Sequence, residues 1–198
     1  MRTMKGGIIL EKKCVDPVLN IWRAYLSDGR QVTFRQPRRA DVSAQRRAWK
    51  AITERNRRRY RRVHVDQSIY DMNKRCKMPL YKGEFPGILP LTIEVDSEVV
   101  GFSDIFFKLG VDFERFNVEP TDKCANGSII VLDQFQGMGV GFMYSEMSDY
   151  IARHYECTWI LGTTFIKKGM YQIRGKDEWK TLRKYANGTV DYKKNLVV

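Results

Sequence analysis

The segment Val131–Gly141, with the sequence VLDQFQGMGVG, places glycines at every second position close behind an apolar run. The run SIIVLD, residues 128–133, is rich in β-branched side chains and predicts a buried strand. The segment that follows, residues 140–155, repeats apolar side chains every four residues and predicts a helix. Three glycines therefore fall in a short loop between a strand and a helix: Gly137, Gly139 and Gly141.

A glycine-rich loop at the start of a helix favours the binding of an anion. The first amides of a helix lack partners within the helix, and the helix dipole attracts negative charge. Glycine also permits positive φ and lets a ligand approach the backbone closely. The sequence therefore predicts that residues 136–142 direct amides at a phosphate, and a plain turn without a ligand is the alternative.

The spacing of the loop separates it from two common phosphate-binding motifs. It lacks the Lys-Ser/Thr of GxxxxGK[ST], and its GMGVG run does not fit GxGxxG. It matches Q-x-x-G-x-G, at Gln136, Gly139 and Gly141. This motif resembles the acyl-CoA pyrophosphate loop of the GCN5-related N-acetyltransferases, the GNAT superfamily. The segments QVTFRQPRRAD (31–41) and IEVDSEVVGF (93–102) resemble the first strand and the central hairpin of that family.

The remaining segments give weaker patterns. Residues 17–25 fit an amphipathic helix, and the prolines between residues 79 and 90 predict an irregular loop. The polar tail of the chain predicts no regular element. We expect an N-terminal extension, residues 1–30, packed on a GNAT-like domain, residues 31–198.

The resemblance implies an α/β fold with a mixed, mostly antiparallel central sheet, flanking helices and splayed fourth and fifth strands. Those two strands correspond to SIIVLD and to CTWILGTTF, residues 157–165. The implied cofactor is acetyl-CoA or another acyl-CoA, with its pantetheine arm on Val131 and Leu132. The implied pyrophosphate contacts are Gln136, Gly137, Met138, Gly139, Val140 and Gly141.

The family transfers the acyl group by direct attack of an amine, so the resemblance implies no covalent nucleophile. A backbone amide near Leu132 would polarise the acyl carbonyl. A base must take the ammonium proton, and an acid can protonate the departing thiolate. Carboxylates in or beside apolar strands suit the base, because burial raises the pKa of a carboxyl group. These candidates are Asp133, Asp104 and Glu94.

Two further side chains are candidates for proton transfer. Tyr171, shortly after the fifth strand, matches a tyrosine that the family often uses as the acid, although KKGMY lacks the family's preceding Asn. A packed aromatic ring is the alternative. His64 is a candidate base, metal ligand or nucleic-acid contact, and a structural role is again the alternative.

The positive charge of the chain is concentrated in one segment. The net charge is +12, and residues 35–62 hold twelve Lys or Arg and two acidic residues, which gives +10. Asp41 suits the N-cap of a basic helix over about 41–62. Such a localised field attracts polyanions through counterion release, and a solvated helix face is the alternative. The expected nucleic-acid contacts are Arg55, Arg57, Arg58, Arg59, Arg61 and Arg62.

Three aromatic residues interleave with these arginines: Trp49, Tyr60 and Tyr70. They either stack on exposed bases or pack the helix against the sheet. The spacing of Trp49 favours packing.

A second resemblance bears on the acceptor. The segment TTFIKKGMYQIRGKDEWK (163–180) is similar to a GNAT group found in mobile-element and viral genomes, whose Mom-type relatives modify DNA adenines. We predict an acyl-CoA-dependent N-acyltransferase that acts on an amine of, or held by, a nucleic acid. The alternatives are a non-catalytic nucleic-acid-binding protein with a vestigial CoA pocket, and an acetyltransferase for proteins or small amines.

The composition argues against several other classes of protein. No apolar run approaches the roughly 20 residues of a membrane helix, and GGIIL is too short for a signal peptide. The four cysteines form no CxxC pair, which argues against a zinc site or a disulfide framework. We expect a cytoplasmic protein with reduced thiols, no metal and no membrane partner, and the oligomeric state stays open.

Overall fold

The structure is a computed structural model, and it describes residues 13–16, 21–26, 28–57, 72–79, 82, 84–109, 113–165, 179–186 and 188–196. The strands, in chain order, are β1 (Lys13–Asp16), β2 (Ile21–Tyr25), β3 (Gln31–Arg35), β4 (Gly87–Val95), β5 (Glu98–Leu109), β6 (Lys123–Val131), β7 (Trp159–Phe165), β8 (Trp179–Lys184) and β9 (Thr189–Asn195). The helices are α1 (Val42–Ala51), α2 (Met72–Arg75), α3 (Phe113–Phe116) and α4 (Val140–His154).

The strands form one 9-stranded sheet in the order β1-β2-β3-β4-β5-β6-β7-β9-β8. The pairs β1–β2, β2–β3, β3–β4, β7–β9 and β8–β9 are antiparallel. Strands β6 and β7 pair in parallel, and their ladder joins residues 124–126 to residues 159–161. Both strands continue beyond this short ladder. Further along, the Leu132 amide donates to the Val100 carbonyl, while β7 stays paired with β9 as far as Phe165. The mixed, mostly antiparallel sheet confirms the predicted fold class.

The described residues fall into two compact units. The first takes in the described parts of Met1–Lys82, Leu89–Asp104 and Ser128–Met143. Apolar side chains of β3, β4 and β5 form its core, and they include Val32, Phe34, Leu91, Ile93, Val100 and Phe102. Their burial follows from the period-two alternation of apolar residues in these strands.

The central hairpin of the first unit agrees with the prediction. Asp96 and Ser97 connect β4 to β5 with φ of 47° and 71°, the backbone of a tight two-residue turn. Gly101 permits a close approach of β5 to β6, because a Cβ there would lie 2.3 Å from the Ile130 carbonyl oxygen.

Helix α1 packs in the first unit through a polar and an aromatic contact. Gln45 is fully buried and donates from Nε2 to Thr92 Oγ1 at 2.6 Å. Trp49 packs on Phe102 with ring centroids 5.6 Å apart, which confirms packing as the role of this tryptophan. Ile52, just beyond the helix, is buried as well.

The second unit takes in the described parts of Gly83–Ile88, Ile105–Gly127 and Tyr144–Val198. One of its apolar clusters joins α3, β6 and β7 through Phe116, Val118, Cys124 and Leu161. Phe107 makes edge contacts with Phe85 and Tyr155, at centroid distances of 5.7 and 5.4 Å.

Two predicted helices are wrong in part. Residues 21–25 form strand β2, because pairing with β3, Trp22 opposite Phe34, outweighs the weak helical periodicity. The basic helix ends at Ala51, since Ile52 is extended with ψ 132°. The Thr53 carbonyl then accepts the amides of Asn56 and Arg57 and starts a separate helical turn over 54–57. Ile52 and Thr53 are both β-branched, which disfavours a continuous helix. Thr53 is also a favoured N-cap for the turn that follows, and these two properties explain the break.

Two predicted irregular segments contain strands. Pro90 lies within β4, where the ladder with β3 begins only at Thr92, so its missing N–H costs no bond to β3. The polar tail forms the hairpin β8–β9. Lys193 and Lys194 in β9 are buried. The Lys193 ammonium lies over the Trp159 ring, and Lys194 donates to Asp149. The sequence alone places such lysines at the surface.

Candidate functional site

The glycine loop has part of the predicted geometry: the Gln136 and Phe142 amides at its two ends donate to the Asp133 and Gly139 carbonyls and are therefore not directed at a ligand, contrary to the prediction for residues 136–142. Gly137 and Gly139 take positive φ, 81° and 92°, which only glycine adopts without strain. The Gly139 carbonyl accepts the amides of Phe142 and Met143, at 2.9 and 3.0 Å, and so begins helix α4 at Val140. A Cβ at Gly137 would meet no atom within 4 Å, so the loop faces open space there. These features fit the binding of an anion at the start of α4.

The strand end before the loop is partly committed to internal bonds. The Leu132 amide donates to the Val100 carbonyl at 2.8 Å, so this amide itself is not available to polarise a substrate carbonyl. The Val131 carbonyl accepts Gln136 Nε2 at 3.3 Å. The Gln136 side chain therefore ties the loop back onto the end of β6.

Asp133 lies at the junction of strand and loop with an exposed side chain. Its Oδ1 accepts Asn56 Nδ2 at 2.7 Å and Gln136 Nε2 at 3.2 Å. One carboxylate oxygen thereby connects the helical turn after α1 with the glycine loop. Both bonds use Oδ1, so within the described part of the chain Oδ2 is the oxygen left to accept a proton.

The other two candidate bases lie in ion pairs. Asp104 is buried and pairs with Arg75, which is buried too. Glu94 binds Arg35, whose guanidinium also holds Asp41 at 2.7 and 2.9 Å. Each of these carboxylates is therefore occupied by an arginine, whereas Asp133 is exposed beside the glycine loop.

Asp41, directly before α1, is held by Arg35 and by the Arg38 amide. Burial raises the pKa of Asp41, but the bonds from Arg35 and from the Arg38 amide outweigh burial and hold that pKa below its ordinary value. The pKa of Arg35 is raised, chiefly by its bond to Asp41. Asp41 stands at the predicted N-cap position, yet its side chain binds Arg35 and Arg38 and makes no cap bond to α1.

The predicted nucleic-acid contacts are only partly described. Arg55 is exposed, whereas Arg57 donates to the Trp49 and Lys50 carbonyls at 3.1 and 3.3 Å and pairs with Glu54. Seven predicted residues lie outside the described part of the chain: Arg58, Arg59, Arg61, Arg62, His64, Tyr171 and the aromatic Tyr60. Tyr70 lies outside it as well.

The described part of the basic segment nonetheless presents a charged face. Exposed side chains on and beside α1 are those of Arg38, Arg39, Arg46, Arg47, Lys50 and Arg55. Gln45, Ala48 and Ile52 occupy the buried face, so the charges of α1 point away from the core. This separation is the amphipathic pattern that the sequence predicts.

Sequence reasoning missed two groups of residues with structural or functional potential. Arg30, in the turn between β2 and β3, contacts the glycine loop. In the second unit, buried Asp191 accepts Arg115, Thr163 and Tyr185. Neither group carries a local signal, because its members are far apart in the chain.

A metal-binding cluster and a membrane-spanning helix are both absent from the described residues. Among them, no three His, Cys, Asp or Glu side chains are grouped to hold a metal ion. None of the helices within the described ranges has the length and apolar composition needed to cross a membrane.

Comparison with known proteins identifies the fold. No family model and no curated protein matches the chain. Among solved structures, the GNAT domain of S. lividans PAT covers 88% of this chain and 96% of its own, at 15% identity and TM-score 0.63. Mycobacterium smegmatis RimJ in complex with CoA-disulfide covers 88% and 86%, at 15% identity and TM-score 0.54.

A third similar structure is the PaiA N-acetyltransferase from Thermoplasma acidophilum in complex with coenzyme A. It covers 83% of this chain and 98% of its own, at 12% identity and TM-score 0.51. At these identities the likeness concerns the fold, and the motif at Gln136–Gly141 agrees with it. The chain has the fold of the GNAT acetyltransferases.

Proposed function

We propose that the protein is an acyl-CoA-dependent N-acyltransferase, with acetyl-CoA as the simplest donor. The observation that carries this proposal is the loop Gln136–Gly141, which combines the Q-x-x-G-x-G motif with positive φ at Gly137 and Gly139 at the start of α4. The GNAT fold supports it, and two similar structures are complexes with coenzyme A or its disulfide. The donor supplies an acyl group activated as a thioester.

Different residues of the chain bind the cofactor and transfer the proton. Amides of the glycine loop bind the pyrophosphate, and Val131 and Leu132 line the pantetheine arm. Asp133 takes a proton from the acceptor nitrogen through Oδ2, so that the free amine can attack the thioester, and Asn56 and Gln136 fix Oδ1. Asp104, Tyr171 and His64 stay as alternative proton carriers, although Asp104 is buried in an ion pair with Arg75.

We further propose that the acceptor amine belongs to, or is held by, a nucleic acid. The exposed arginines of α1 and the +10 charge of residues 35–62 support a polyanionic partner. The mobile-element resemblance of the tail agrees with this acceptor. An acceptor on a protein or a small amine, and a vestigial CoA pocket without catalysis, are the competing outcomes.

The cofactor is tested by calorimetric titration of acetyl-CoA against the wild type and two glutamate variants. Gly137→Glu places a carboxylate in the loop, and we expect it to abolish binding. Gly188→Glu is the matched control, since Gly188 has φ 79° against 81° and neither Cβ would meet an atom within 4 Å. The proposal fails if the wild type does not bind acetyl-CoA or if Gly137→Glu binds it equally well.

The polyanion is tested by measuring binding of single- and double-stranded oligonucleotides across a range of salt concentrations. Arg46→Ala/Arg47→Ala should weaken binding and lower the slope of log K against log salt by up to about 2. Lys180→Ala/Arg183→Ala removes the same charge from exposed positions of β8 and should change neither quantity. If the two double variants weaken binding equally, the protein attracts nucleic acid through its net charge and not through a contact at α1.

The acceptor itself is identified by mass spectrometry of nucleosides and proteins from cells expressing the wild type or Gly137→Glu. An acylated nucleoside present only with the wild type supports the proposal. An acylated protein or polyamine would replace it with one of the competing acceptors. Nucleic-acid binding without any acylated product would favour the vestigial pocket.

A further inference from the structure

Arg30 is the one arginine of the β2–β3 turn, and its side chain reaches the glycine loop. Its Nη2 lies 3.6 Å from Met138 Sδ, and its guanidinium carbon lies 5.6 Å from the centroid of the Phe135 ring. These two residues flank Gly137, the position of open space above the loop. Arg30 therefore brings a positive charge to a loop whose own residues carry none.

The turn holds Arg30 in this direction. Asp28 accepts the Arg30 amide at 3.1 Å and Arg30 Nε at 2.9 Å, so one carboxylate fixes both backbone and side chain. Gly29 supplies the positive φ of 85° that the turn needs. The Arg30 side chain remains 36% exposed, so its contacts with Asp28 and Met138 leave part of the guanidinium open to a ligand.

A phosphate can displace the contacts of Arg30 with Met138 and Asp28, or bind beside them. A thioether sulfur is a weak acceptor, so little is lost when the guanidinium turns from Met138 to an anion. The exposed ion pair with Asp28 is weak as well, because water screens both charges. A guanidinium presents paired N–H groups that match two oxygens of a phosphate.

We propose that Arg30 binds a phosphate group of the acyl-CoA donor and adds a charged contact to the amides of the glycine loop. This inference rests on the proposed function. The shared chemistry is a phosphate ester or anhydride at the loop, and it has two sources in the donor: the diphosphate and the ribose 3′-phosphate.

The test compares the affinities of coenzyme A and 3′-dephospho-coenzyme A for four proteins by calorimetric titration. For Arg30→Ala we expect affinity for coenzyme A to fall by about tenfold or more, the usual effect of losing a charge-assisted hydrogen bond. Arg23→Ala, at an exposed arginine of β2, should bind as the wild type does. Asp28→Asn should bind more tightly, because it removes a negative charge beside the incoming phosphate while keeping an amide oxygen that can accept the Arg30 amide and hold the turn.

The results distinguish the diphosphate from the 3′-phosphate, and they distinguish failure of the Arg30 proposal from failure of the proposed function. Equal losses for both ligands assign Arg30 to the diphosphate, and a loss for coenzyme A alone assigns it to the 3′-phosphate. Wild-type affinity of Arg30→Ala for both ligands overturns the role of Arg30 and leaves the proposed function standing. No binding of coenzyme A by the wild type overturns both. The opposite signs expected for Arg30→Ala and Asp28→Asn exclude a general loss of folding as the cause.

Discussion

Arg75 and Asp104 form an ion pair in the interior of the first unit, with 2% and 1% of their side chains exposed. Arg75 also donates to the Leu91 and Ser103 carbonyls, which fixes the pair between β4 and β5. Removing one partner leaves a charge buried without compensation, at a cost of about 3–5 kcal/mol. We therefore predict that Asp104→Leu lowers the free energy of unfolding by this amount, measured by urea denaturation.

The double variant Arg75→Met/Asp104→Leu is the control for this prediction. It removes both charges together, and apolar side chains of similar volume should restore most of the lost stability. A double variant as unstable as Asp104→Leu would show that the hydrogen bonds of Arg75 to the carbonyls dominate. A stable but inactive Asp104→Asn enzyme would instead favour Asp104 as the catalytic base.

Asp133 has both a bracing and a proposed catalytic role, and one substitution separates them. Asparagine keeps an acceptor oxygen for Asn56 and Gln136 but cannot take a proton at neutral pH. We predict that Asp133→Asn binds acetyl-CoA normally and loses kcat by about 100-fold or more, the usual share of a general base. The measurement is steady-state kinetics across pH once the acceptor is known.

Two other results for Asp133→Asn would point elsewhere. An unchanged kcat would limit Asp133 to bracing the loop, and Tyr171 and His64 would become the next positions to test. A raised KM for acetyl-CoA with unchanged kcat would mean that the negative charge of Asp133 matters for the shape of the loop. Asn56→Ala, which removes one bracing bond without touching the carboxylate, distinguishes these two cases.

Helix α1 ends at Ala51, and Arg57 closes that end from the following turn. Its guanidinium donates to the Trp49 and Lys50 carbonyls and lies 5.9 Å from the Trp49 ring. Cations near the last carbonyls of a helix satisfy them and oppose the helix dipole. We predict that Arg57→Ala destabilises the protein by about 1 kcal/mol, measured by thermal unfolding. Arg55→Ala, at an exposed neighbour, should leave stability unchanged within about 0.5 kcal/mol.

This contrast limits the use of Arg57 as a probe of nucleic-acid binding. A loss of binding in Arg57→Ala would combine a missing charge with a loosened helix end. Equal stability of the Arg57 and Arg55 variants would show that the carbonyl contacts contribute nothing. In that case Arg57 would rejoin the predicted nucleic-acid contacts on the same footing as Arg55.

The strand, loop and helix at residues 123–154 could be predicted from the sequence because their signals are local. An apolar β-branched run, alternating glycines and a four-residue apolar repeat each lie within one element. Strands β2, β8 and β9 could not be predicted from their own residues, since their conformation depends on pairing with β3, β9 and β7, respectively. The burial of Lys193 and Lys194 in β9 depends on Trp159 and Asp149, which lie about 35 to 45 residues earlier in the chain.

The same difference between local and long-range signals holds for the candidate site. Gln136–Gly141 carries its own motif, and the structure gives it the expected backbone. The ion pair of Asp104 and the contact of Arg30 with Met138 join residues 29 and 108 positions apart, so no local pattern announces them. Long-range partners of charged residues are the part of this site that sequence reasoning misses.

Strands β7, β8 and β9 enclose a carboxylate whose charge contributes to stability. Burial raises the pKa of Asp191, but bonds from Arg115, Thr163 and Tyr185 outweigh burial and hold that pKa below its ordinary value of 3.8. The folded state therefore binds this proton less readily than the unfolded state. Its contribution is present above about pH 4 and is lost as the pH falls through the lowered folded pKa.

We predict that the free energy of unfolding of the wild type falls more steeply below pH 4 than that of Asp191→Asn. The comparison of the two slopes, from urea denaturation between about pH 2.5 and about pH 7, isolates Asp191 from other carboxylates such as Asp41. Parallel curves would mean that the network around Asp191 does not favour its ionised form.

The two compact units share several elements along the chain. Strands β4, β5 and β6 and helix α4 each contribute residues to both units, for example at the boundary between Asp104 and Ile105 in β5. Neither unit can unfold completely without breaking hydrogen bonds of an element that continues into the other. We therefore expect the chain to unfold in a single cooperative transition.

The buried cysteines report on this cooperativity. Cys76 belongs to the first unit, and Cys124 and Cys157 belong to the second. Burial raises the pKa of the Cys157 thiol to about 12 and that of Cys76 above its ordinary value, so neither forms much thiolate in the folded protein at pH 8. In a Cys14→Ser background, we predict that all three thiols resist labelling until urea unfolds the protein, and then react at one urea concentration. Mass spectrometry of alkylated peptides measures each site separately, and earlier labelling of Cys124 and Cys157 than of Cys76 would mean that the second unit opens while the first stays folded.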